Sequence, residues 1–388
     1  MSELSDLGLL TWVYPPGLVD RVVAACGCGE QRRRLLPARL VVYFVLGLAL
    51  FSPAPYLEVM RHLVEGLRGQ GLLGGWHMPA KSSLFRARQR LGCEPLRVLF
   101  ATTAKPMATE ATPGAFWRGL RLLAVDGTCW GVADSEANEA AFGRPGNGRG
   151  PGRSAFVQVR MAVLVEVGSH AVLDAELAGC RTGEVTLAGR LPRSLGRGRS
   201  SWPTVSSSVF RCGGPSPSLA PICCGGCPPT VSCRSSNSSG TDHGCHRSGR
   251  AVALPGMSQS PSGFWPTSSR GSSGEGAADG YRLVTTRLDA RRHPARQLAA
   301  LYRERWDIES VFAEIKTHQR GARIVLSSKT PDGVRQQIWA HLLVHHALRE
   351  LMLRTATTRG LDPDRVSFTE TLRSARRGVT VTPGSFSP

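Results

Sequence analysis

One stretch in the last third of the chain carries charged and phenolic side chains at helical spacing, and it limits the folds that the chain can adopt. Tyr302, Arg305, Glu309 and Lys316 follow one another at intervals of three, four and seven residues. Residues at such intervals share one face of a helix, so one carboxylate would lie beside two cations and a phenol. A face of this kind could bind phosphate groups. A surface helix with Glu–Arg ion pairs explains the spacing equally well.

A second feature is an apolar, strand-like run that leads into an acidic residue. Residues 121–125 read as a β-strand, and Asp126, Gly127 and Thr128 follow directly. The pattern predicts a carboxylate at the end of a strand. Asp-Gly is also a common turn sequence, so a purely structural role for Asp126 remains open.

The order of these two features resembles a known enzyme family. A strand ending in Asp-Gly-Thr, a β-rich region and a helix with Tyr-x-x-Arg-x-x-x-Glu-x-x-x-x-x-x-Lys are typical of the DDE transposases of the insertion sequence 4 family. All four helix positions match, and the resemblance covers most of the chain outside residues 196–275. It implies an α/β fold: a ribonuclease-H-like mixed sheet flanked by helices, with a helical N-terminal domain. The implied activity is DNA cleavage and strand transfer at insertion-sequence ends.

The resemblance also implies a metal site. Asp126 would be its first carboxylate and Glu309 its third, holding Mg²⁺ or Mn²⁺ in a two-metal arrangement, since hard cations prefer oxygen ligands. Tyr302, Arg305 and Lys316 would bind the DNA backbone. Four other carboxylates compete with Asp126 but rank below it, because none combines a strand end with the matching motif: Asp134, Glu136, Asp174 and Glu184.

The overall charge fits a nucleic-acid partner. The chain has 48 Lys and Arg against 29 Asp and Glu, a formal net charge of +19 and a pI near 10.4. Such an excess can neutralise phosphates, although ribosomal and membrane-surface proteins are also basic. The expected partners are transposon terminal inverted repeats and target DNA, with two protomers pairing two ends. Residues 40–51 are too short an apolar run to span a bilayer, so we expect a cytoplasmic protein associated with the nucleoid.

The N-terminal 110 residues predict a separate helical domain. Residues 40–51 should form a buried helix, and residues 81–91 a basic amphipathic helix capped by serine. That basic helix could enter a DNA groove or grip phosphates, or it could simply be a solvated face. The side chains that would contact DNA are Lys81, Arg86, Arg88 and Arg90.

The catalytic core is predicted in two parts, residues 115–190 and 280–375. Strands are expected at 156–165 and 171–177, and strand-like alternation resumes at 281–286. Residues 338–348 predict a buried helix with interior histidines.

Between these parts, residues 196–275 are of a different character. They are rich in Ser, Pro, Gly and Cys, show neither helical nor strand periodicity, and contain Asp242 as the one acidic residue up to position 274. A disordered linker, a zinc module and a stretch translated in the wrong frame all fit. The zinc interpretation rests on Cys224 and Cys227, but a second close cysteine pair is missing.

The genetic code supports the reading-frame interpretation. Reading one base early from the codon of Trp202 permits Leu-Ala-Asp-Arg, the sequence usual around the family's second catalytic aspartate. Frame loss near residues 196–200 and recovery before Tyr281 would leave the polypeptide without that aspartate. We therefore predict impaired catalysis, the alternative being a non-catalytic, sequence-specific DNA-binding remnant of a transposase.

Overall fold

The fold is described from a computed structural model of the 388-residue chain. The structure describes residues 8–29, 35–68, 77–145, 156–191, 204–206, 221–223, 250–253, 282–285, 289, 291–303 and 306–380.

Six helices precede the first strand. The third is apolar along nearly its whole length and almost completely buried, as expected of a helix that packs on all sides. Proline occupies the first turn of the second and sixth helices, where its missing N–H costs nothing. The helices are α1 (Leu9–Val13), α2 (Pro16–Ala25), α3 (Ala38–Leu50), α4 (Tyr56–Arg68), α5 (Lys81–Leu91) and α6 (Glu94–Thr103).

Seven of the described strands form one mixed sheet, after a short β1–β2 hairpin. Its order is β5-β4-β3-β6-β7-β9-β8, with antiparallel pairs at both ends and parallel β3–β6 and β6–β7 pairs in the middle. The α/β class with a mixed sheet is thus confirmed. The strands are β1 (Phe116–Trp117), β2 (Leu120–Arg121), β3 (Leu123–Gly131), β4 (Gln158–Glu166), β5 (Ala171–Gly179), β6 (Thr204–Ser206), β7 (Pro221–Cys223), β8 (Arg250–Ala253) and β9 (Arg282–Thr285).

The remaining helices flank this sheet. A π-helical turn, Glu314–Gln319, follows α10, and a 3-10 turn, Pro363–Arg365, precedes the last helix. The helices are α7 (Glu136–Phe142), α8 (Glu184–Ala188), α9 (Ala295–Arg303), α10 (Trp306–Ala313), α11 (Pro331–Arg359) and α12 (Phe368–Thr380).

The two faces of β3 pack against different helices. Leu123 and Val125 join a small apolar cluster with Leu187 and Ala188 of α8. Side chains alternate along a strand, so the neighbouring positions point the other way. There Ala124 joins the main core, which includes apolar residues of α10 and the π-helical turn. The sheet is therefore a layer between α8 and α10.

The long helix α11 packs against the N-terminal helices as well as the sheet. It contacts α3 and α6 extensively, and the Tyr14 hydroxyl donates to the carbonyl of Leu343 at 2.7 Å. One apolar cluster contains residues of α1 to α6 together with α11 and α12. The predicted domain limits at 110, 190 and 280 remain predictions. The N-terminal helices α1 to α6 nevertheless share one core with α11 and α12.

Several local predictions can be compared directly. The buried helix at 40–51 and the helix at 81–91 are confirmed as α3 and α5, but α5 has Ala80 at its N-cap without a side-chain cap bond, so the serine cap was wrong. The strands at 156–165, 171–177 and 281–286 are confirmed within about two residues as β4, β5 and β9. Among the described residues, no helix is both long and apolar enough to cross a membrane.

Candidate functional site

Asp126 lies in the middle of β3 and not at its end. The pairing of β3 with antiparallel β4 continues to Gly131, whereas its pairing with parallel β6 runs only from Leu123 to Val125. The predicted strand end is thus corrected: the strand continues because β4 supports it on the other side. The half-buried Asp126 carboxylate accepts a hydrogen bond from the Gly127 N–H at 2.8 Å, just past the last β3–β6 pair.

A lysine from the distant helix motif reaches this strand. The Lys316 ammonium donates to the Thr128 hydroxyl at 2.9 Å, across 188 residues of sequence. Thr128 lies two residues from Asp126 and therefore on the same face of β3. Partial burial, reinforced by the nearby Arg320 charge, lowers the pKa of Lys316. The structure thus brings the two sequence motifs together on one face of the sheet.

Lys316 lies in a π-helical turn. This turn, Glu314–Gln319, continues α10 with a wider backbone spiral than the 3.6 residues per turn on which the sequence argument relied. Single π-helical turns inside α-helices are rare and often occur at functional sites. Hydrophobic periodicity carries no signal for such a turn, so the sequence could not reveal it.

Glu309 lies on α10 between two contacts that fix the direction of the helix. At one end, the Asp307 carboxylate lies 3.7 Å from His170, in the turn between β4 and β5. At the other end, Lys316 bonds Thr128. Because the β4–β5 turn lies at the Leu123 end of β3, α10 runs alongside β3, and exposed Glu309 is placed between the two contacts.

The other two residues of the helix motif are only partly defined. The backbone of Tyr302 belongs to α9, which ends at Arg303, while α10 begins at Trp306. The Tyr302 side chain and the whole of Arg305 lie outside the described residues. The motif is therefore divided between two helices and a π-helical turn, and does not form a single helix.

A buried charge network fixes the π-helical turn from behind. Both carboxylate oxygens of Glu314 accept hydrogen bonds from Arg349 of α11, and His345 lies 2.9 Å from one of them. Burial alone would raise the pKa of Glu314, but the His345 hydrogen bond and the Arg349 charge outweigh it, so the pKa is lowered. Arg349 also contacts His170. The sequence predicted interior histidines on α11 but missed their carboxylate partner.

A metal-binding cluster is not preassembled in the described part of the chain. No three His, Cys, Asp or Glu side chains there lie close enough together to hold an ion. Asp126 and Glu309 supply hard oxygen donors, which Mg²⁺ and Mn²⁺ prefer. Two carboxylates alone leave most of the coordination positions of such an ion unfilled. The cysteines of the zinc interpretation, Cys224 and Cys227, lie outside the described residues.

The predicted DNA-binding residues of α5 divide into two groups. Lys81, Arg86 and Arg90 are exposed, although Arg90 also donates to the carbonyl of Leu36 at 3.0 Å. Arg88 is only 5% exposed, and its guanidinium donates to Gln336, to the Tyr56 hydroxyl and to the Gly333 carbonyl. Arg88 therefore joins α5 to α11, which corrects its inclusion among the DNA contacts.

Comparison with known families shows to which protein family the chain belongs. The insertion element 4 transposase N-terminal family matches residues 4–101, and the transposase DDE domain family matches residues 240–346, which include Glu309 and Lys316. The chain belongs to the insertion sequence 4 transposases. These are DDE enzymes, a class of metal-dependent DNA transposases.

Two relatives from Escherichia coli agree with this assignment. The transposase InsG for insertion sequence element IS4 of Escherichia coli (strain K12) is 28% identical over 95% of this transposase and 82% of its own length. InsZ, a second transposase-like protein of that organism, is 31% identical over 40% of this chain and 50% of its own. A solved piggyBac transposase synaptic complex with hairpin DNA aligns with 96% of this chain and 79% of its own, at 11% identity and a TM-score of 0.48.

Proposed function

We propose that this transposase cleaves and transfers DNA at the ends of its own insertion sequence inside the cell, with Asp126 and Glu309 as metal-binding carboxylates. The observation that supports this most directly is the hydrogen bond from Lys316 to Thr128. It connects the helix that carries Glu309 to the strand that carries Asp126. Both carboxylates then border one side of β3, where a DNA phosphate could approach.

The donor atoms of this region suit Mg²⁺ or Mn²⁺. Asp126 is half-buried within β3 and Glu309 is exposed, so both are accessible to an ion from the solvent. The space beside Gly127, between Asp126 and Thr128, is filled by the Glu184 side chain, which would lie 2.6 Å from a Cβ atom at this position. When bound, two divalent ions about 4 Å apart activate an attacking oxygen and stabilise a leaving oxygen at phosphorus.

The cations of the site have a separate role in this proposal. Lys316 is held in place by Thr128, so its charge is positioned before DNA binds. Arg305 would grip a phosphate with two parallel N–H groups, which its planar guanidinium favours, and Tyr302 would donate a single hydrogen bond. Together these groups would orient the DNA backbone beside the two carboxylates.

The N-terminal region would supply further DNA contacts. Lys81, Arg86 and Arg90 are exposed along α5, and the net charge of +19 favours binding to DNA. The proposed partners are the terminal inverted repeats of the element and a target DNA, with two protomers in one end complex.

We also propose that catalysis by this polypeptide is impaired. Most of residues 196–275 lie outside the described residues, with three short strands described within them. If the reading frame changes there, the family's second aspartate is absent. The remaining carboxylates should then bind metal weakly.

Cleavage of the gene's own flanking DNA tests the proposal. Labelled fragments that span each boundary of the coding sequence are incubated with the full chain and Mg²⁺ or Mn²⁺. Asp126→Asn and Glu309→Gln should abolish nicking at a defined site, whereas Glu110→Gln, at an exposed carboxylate in a turn, should not. If the unmodified chain nicks the DNA and Asp126→Asn nicks it equally well, the assignment of Asp126 is contradicted.

A second candidate function is DNA binding without catalysis. It is favoured by the lack of a preassembled metal cluster among the described residues. In that case the chain would bind the same fragments with steep salt dependence but would not nick them, and Asp126→Ala would bind as tightly as the unmodified chain.

A further inference from the structure

The π-helical turn ends at a buried arginine that has no partner for its charge. Arg320 is only 7% exposed, and its backbone N–H donates to the carbonyl of Ile315 at 3.0 Å, which fixes where the side chain leaves the turn. Within the described residues its guanidinium forms neither an ion pair nor a hydrogen bond, and its Nε atom is buried. Its Cζ atom lies 5.1 Å from the centre of the Trp130 ring, a cation–π contact that leaves the N–H donors unused. Buried guanidinium groups normally have such donors bonded.

Arg320 borders a cavity between the α3–α4 connection, the segment after the π-helical turn and α11. The volume of this cavity is about 150 Å³, whereas a single water molecule needs only about 10 to 15 Å³. Two of the described residues that line it are arginines, Arg88 and Arg320, and none is Asp or Glu. The Ser52 hydroxyl donates to the carbonyl of Arg320 at 2.9 Å and so joins the two sides of the cavity. The cavity is therefore positively charged and large enough for an anion.

Two hydroxyl groups in the lining add hydrogen-bond donors. The Tyr56 hydroxyl accepts a bond from the Arg88 guanidinium, and the Ser327 hydroxyl accepts one from the Gln337 amide at 3.3 Å. A hydroxyl that accepts a hydrogen bond keeps its own O–H for donation. The donors of Arg88 are used within the protein, whereas those of Arg320 are not. Arg320 is therefore the cation in this cavity that has N–H groups to offer to a ligand.

The cavity is continuous with a wider groove on the surface of α4 and α5. Tyr56 and exposed Ser327 line both the cavity and this groove, whose volume is about 830 Å³. The charged residues of the groove are Arg61, Lys81 and Glu58, all exposed. Lys81 is one of the predicted DNA contacts. A DNA strand that follows the groove would bring a backbone phosphate to the opening of the cavity.

We infer that this cavity binds a phosphate group, with the Arg320 guanidinium as its principal ligand, and that a backbone phosphate of the DNA supplies this group. A phosphate accepts two parallel N–H bonds from a guanidinium and would neutralise a charge that is costly to bury alone. Burial lowers the pKa of Arg320, as expected of a buried cation without a partner. The inference rests on the proposed function for the source of the phosphate, because the groove would hold the DNA of the element.

Binding of inorganic phosphate to the full chain tests the site itself. In isothermal titration calorimetry at constant ionic strength, Arg320→Gln should weaken phosphate binding about tenfold or more, because the charged donor is lost. Ala54→Leu, at a half-buried residue of the lining, narrows the cavity without removing a charge and should weaken binding as well. Arg359→Gln, at an exposed arginine that ends α11, is the matched control and should bind phosphate as the unmodified chain does.

DNA binding identifies the source of the phosphate. Labelled fragments that span the boundaries of the coding sequence are titrated with each chain at several salt concentrations and followed by fluorescence anisotropy. Arg320→Gln should reduce the slope of log affinity against log salt concentration by about one phosphate contact. Arg359→Gln should leave this slope as it is in the unmodified chain.

The two measurements separate this inference from the proposed function. If neither Arg320→Gln nor Ala54→Leu weakens phosphate binding, the inference fails, even if the unmodified chain binds and nicks DNA. If both variants weaken phosphate binding while the salt dependence of DNA binding is unchanged, the phosphate site stands and its assignment to DNA is overturned. If the unmodified chain does not bind the fragments, the proposed function fails, and the phosphate titrations alone decide whether the cavity is an anion site.

Stability measurements distinguish phosphate binding from a structural role of Arg320. Without phosphate, Arg320→Gln should melt at the same temperature as the unmodified chain or higher, because it removes a buried charge that has no partner. Added phosphate should raise the melting temperature of the unmodified chain more than that of Arg320→Gln. The general stabilisation by phosphate in solution acts on both chains alike, so the difference between them reports the site. If Arg320→Gln melts lower and Ala54→Leu keeps the full phosphate effect, the arginine serves the fold and the inference is overturned.

Discussion

Glu314 shows how a single buried carboxylate can fix the geometry of the site from a distance. It is 8% exposed, and Arg349 and His345 of α11 both bond to it. Since it begins the π-helical turn that carries Lys316, this network sets the position of the Lys316 ammonium relative to Thr128.

We expect Glu314→Gln to lower the free energy of unfolding by about 3 kcal/mol, because it leaves the buried Arg349 charge without its partner. Urea unfolding at pH 7 measures this. Glu370→Gln is the control: its ion pair with Arg373 is exposed on α12, so the loss should stay below about 1 kcal/mol. The folded pKa of Glu314 is lowered, so its contribution is present above its unfolded pKa and is lost as the pH falls through the folded value. A loss in Glu314→Gln as small as in the control would contradict this role.

His341 predicts a second pH dependence. Burial, with a smaller contribution from Arg320, lowers its pKa to about 3. The unfolded chain takes up a proton below about pH 6.5 while the folded chain does not, so this histidine should lower stability by about 2 kcal/mol between pH 6.5 and 5. His341→Gln should reduce the change in the free energy of unfolding over this pH range by that amount, as measured by urea unfolding. His77→Gln, at an exposed position, should leave that change as it is in the unmodified chain. The same slope in both variants would show that His341 is not the source.

Among the helices, α5 has two faces with different roles. We propose that one face binds DNA, and the other packs against α11. Its outer face presents Lys81 and Arg86, while its inner face directs Arg88 into α11. Two arginines only two residues apart should therefore have different roles, since they lie on different sides of the helix.

We expect Arg86→Ala to weaken DNA binding and to reduce the salt dependence by about one phosphate contact, with stability unchanged. Arg88→Ala should instead lower the free energy of unfolding by about 2 to 4 kcal/mol, because Gln336 and the Gly333 carbonyl lose a buried donor. Fluorescence anisotropy at several salt concentrations and urea unfolding measure the two effects. If Arg86→Ala binds DNA as tightly as the unmodified chain, α5 is not part of the DNA surface.

The helices and strands also show how much of the fold the sequence predicts. Apolar runs such as residues 40–51 predicted α3, since a helix buried on all sides is apolar throughout. The same reasoning ended β3 too early at Asp126, because pairing with β4 extends a strand past a polar residue and pairing partners are not visible in the pattern. The sequence did not reveal the contact of Glu184 with Gly127 for a similar reason. This contact depends on how α8 packs on the sheet, and nothing in the spacing indicates it.

At the scale of the whole molecule, the N-terminal helices and the C-terminal helices share one apolar core. Leu46 of α3 and Leu343 of α11 are both fully buried in the same cluster, and the Tyr14 hydroxyl bonds the Leu343 backbone. These regions are nearly 300 residues apart in sequence, so this core is made of long-range contacts.

We expect Leu46→Ala to destabilise α3 and α11 together, by about 2 to 5 kcal/mol, because the cavity lies in their shared core. Hydrogen exchange followed by mass spectrometry should show faster exchange in peptides from both helices. Leu35→Ala, at a residue 53% exposed, should change neither. Faster exchange in α3 with unchanged α11 would mean that the N-terminal region is an independent domain.

The packing of α11 on the N-terminal helices also has a consequence for synthesis of the protein on the ribosome. The partner of Tyr14 and α3 is translated about 300 residues later, so the side of α3 that packs against α11 stays uncovered through most of translation. A transposase chain that terminates before Pro331 would leave that surface exposed permanently. We expect chaperones and proteases to remove such fragments, so that truncated products would not persist to compete with the full-length transposase for the ends of the element.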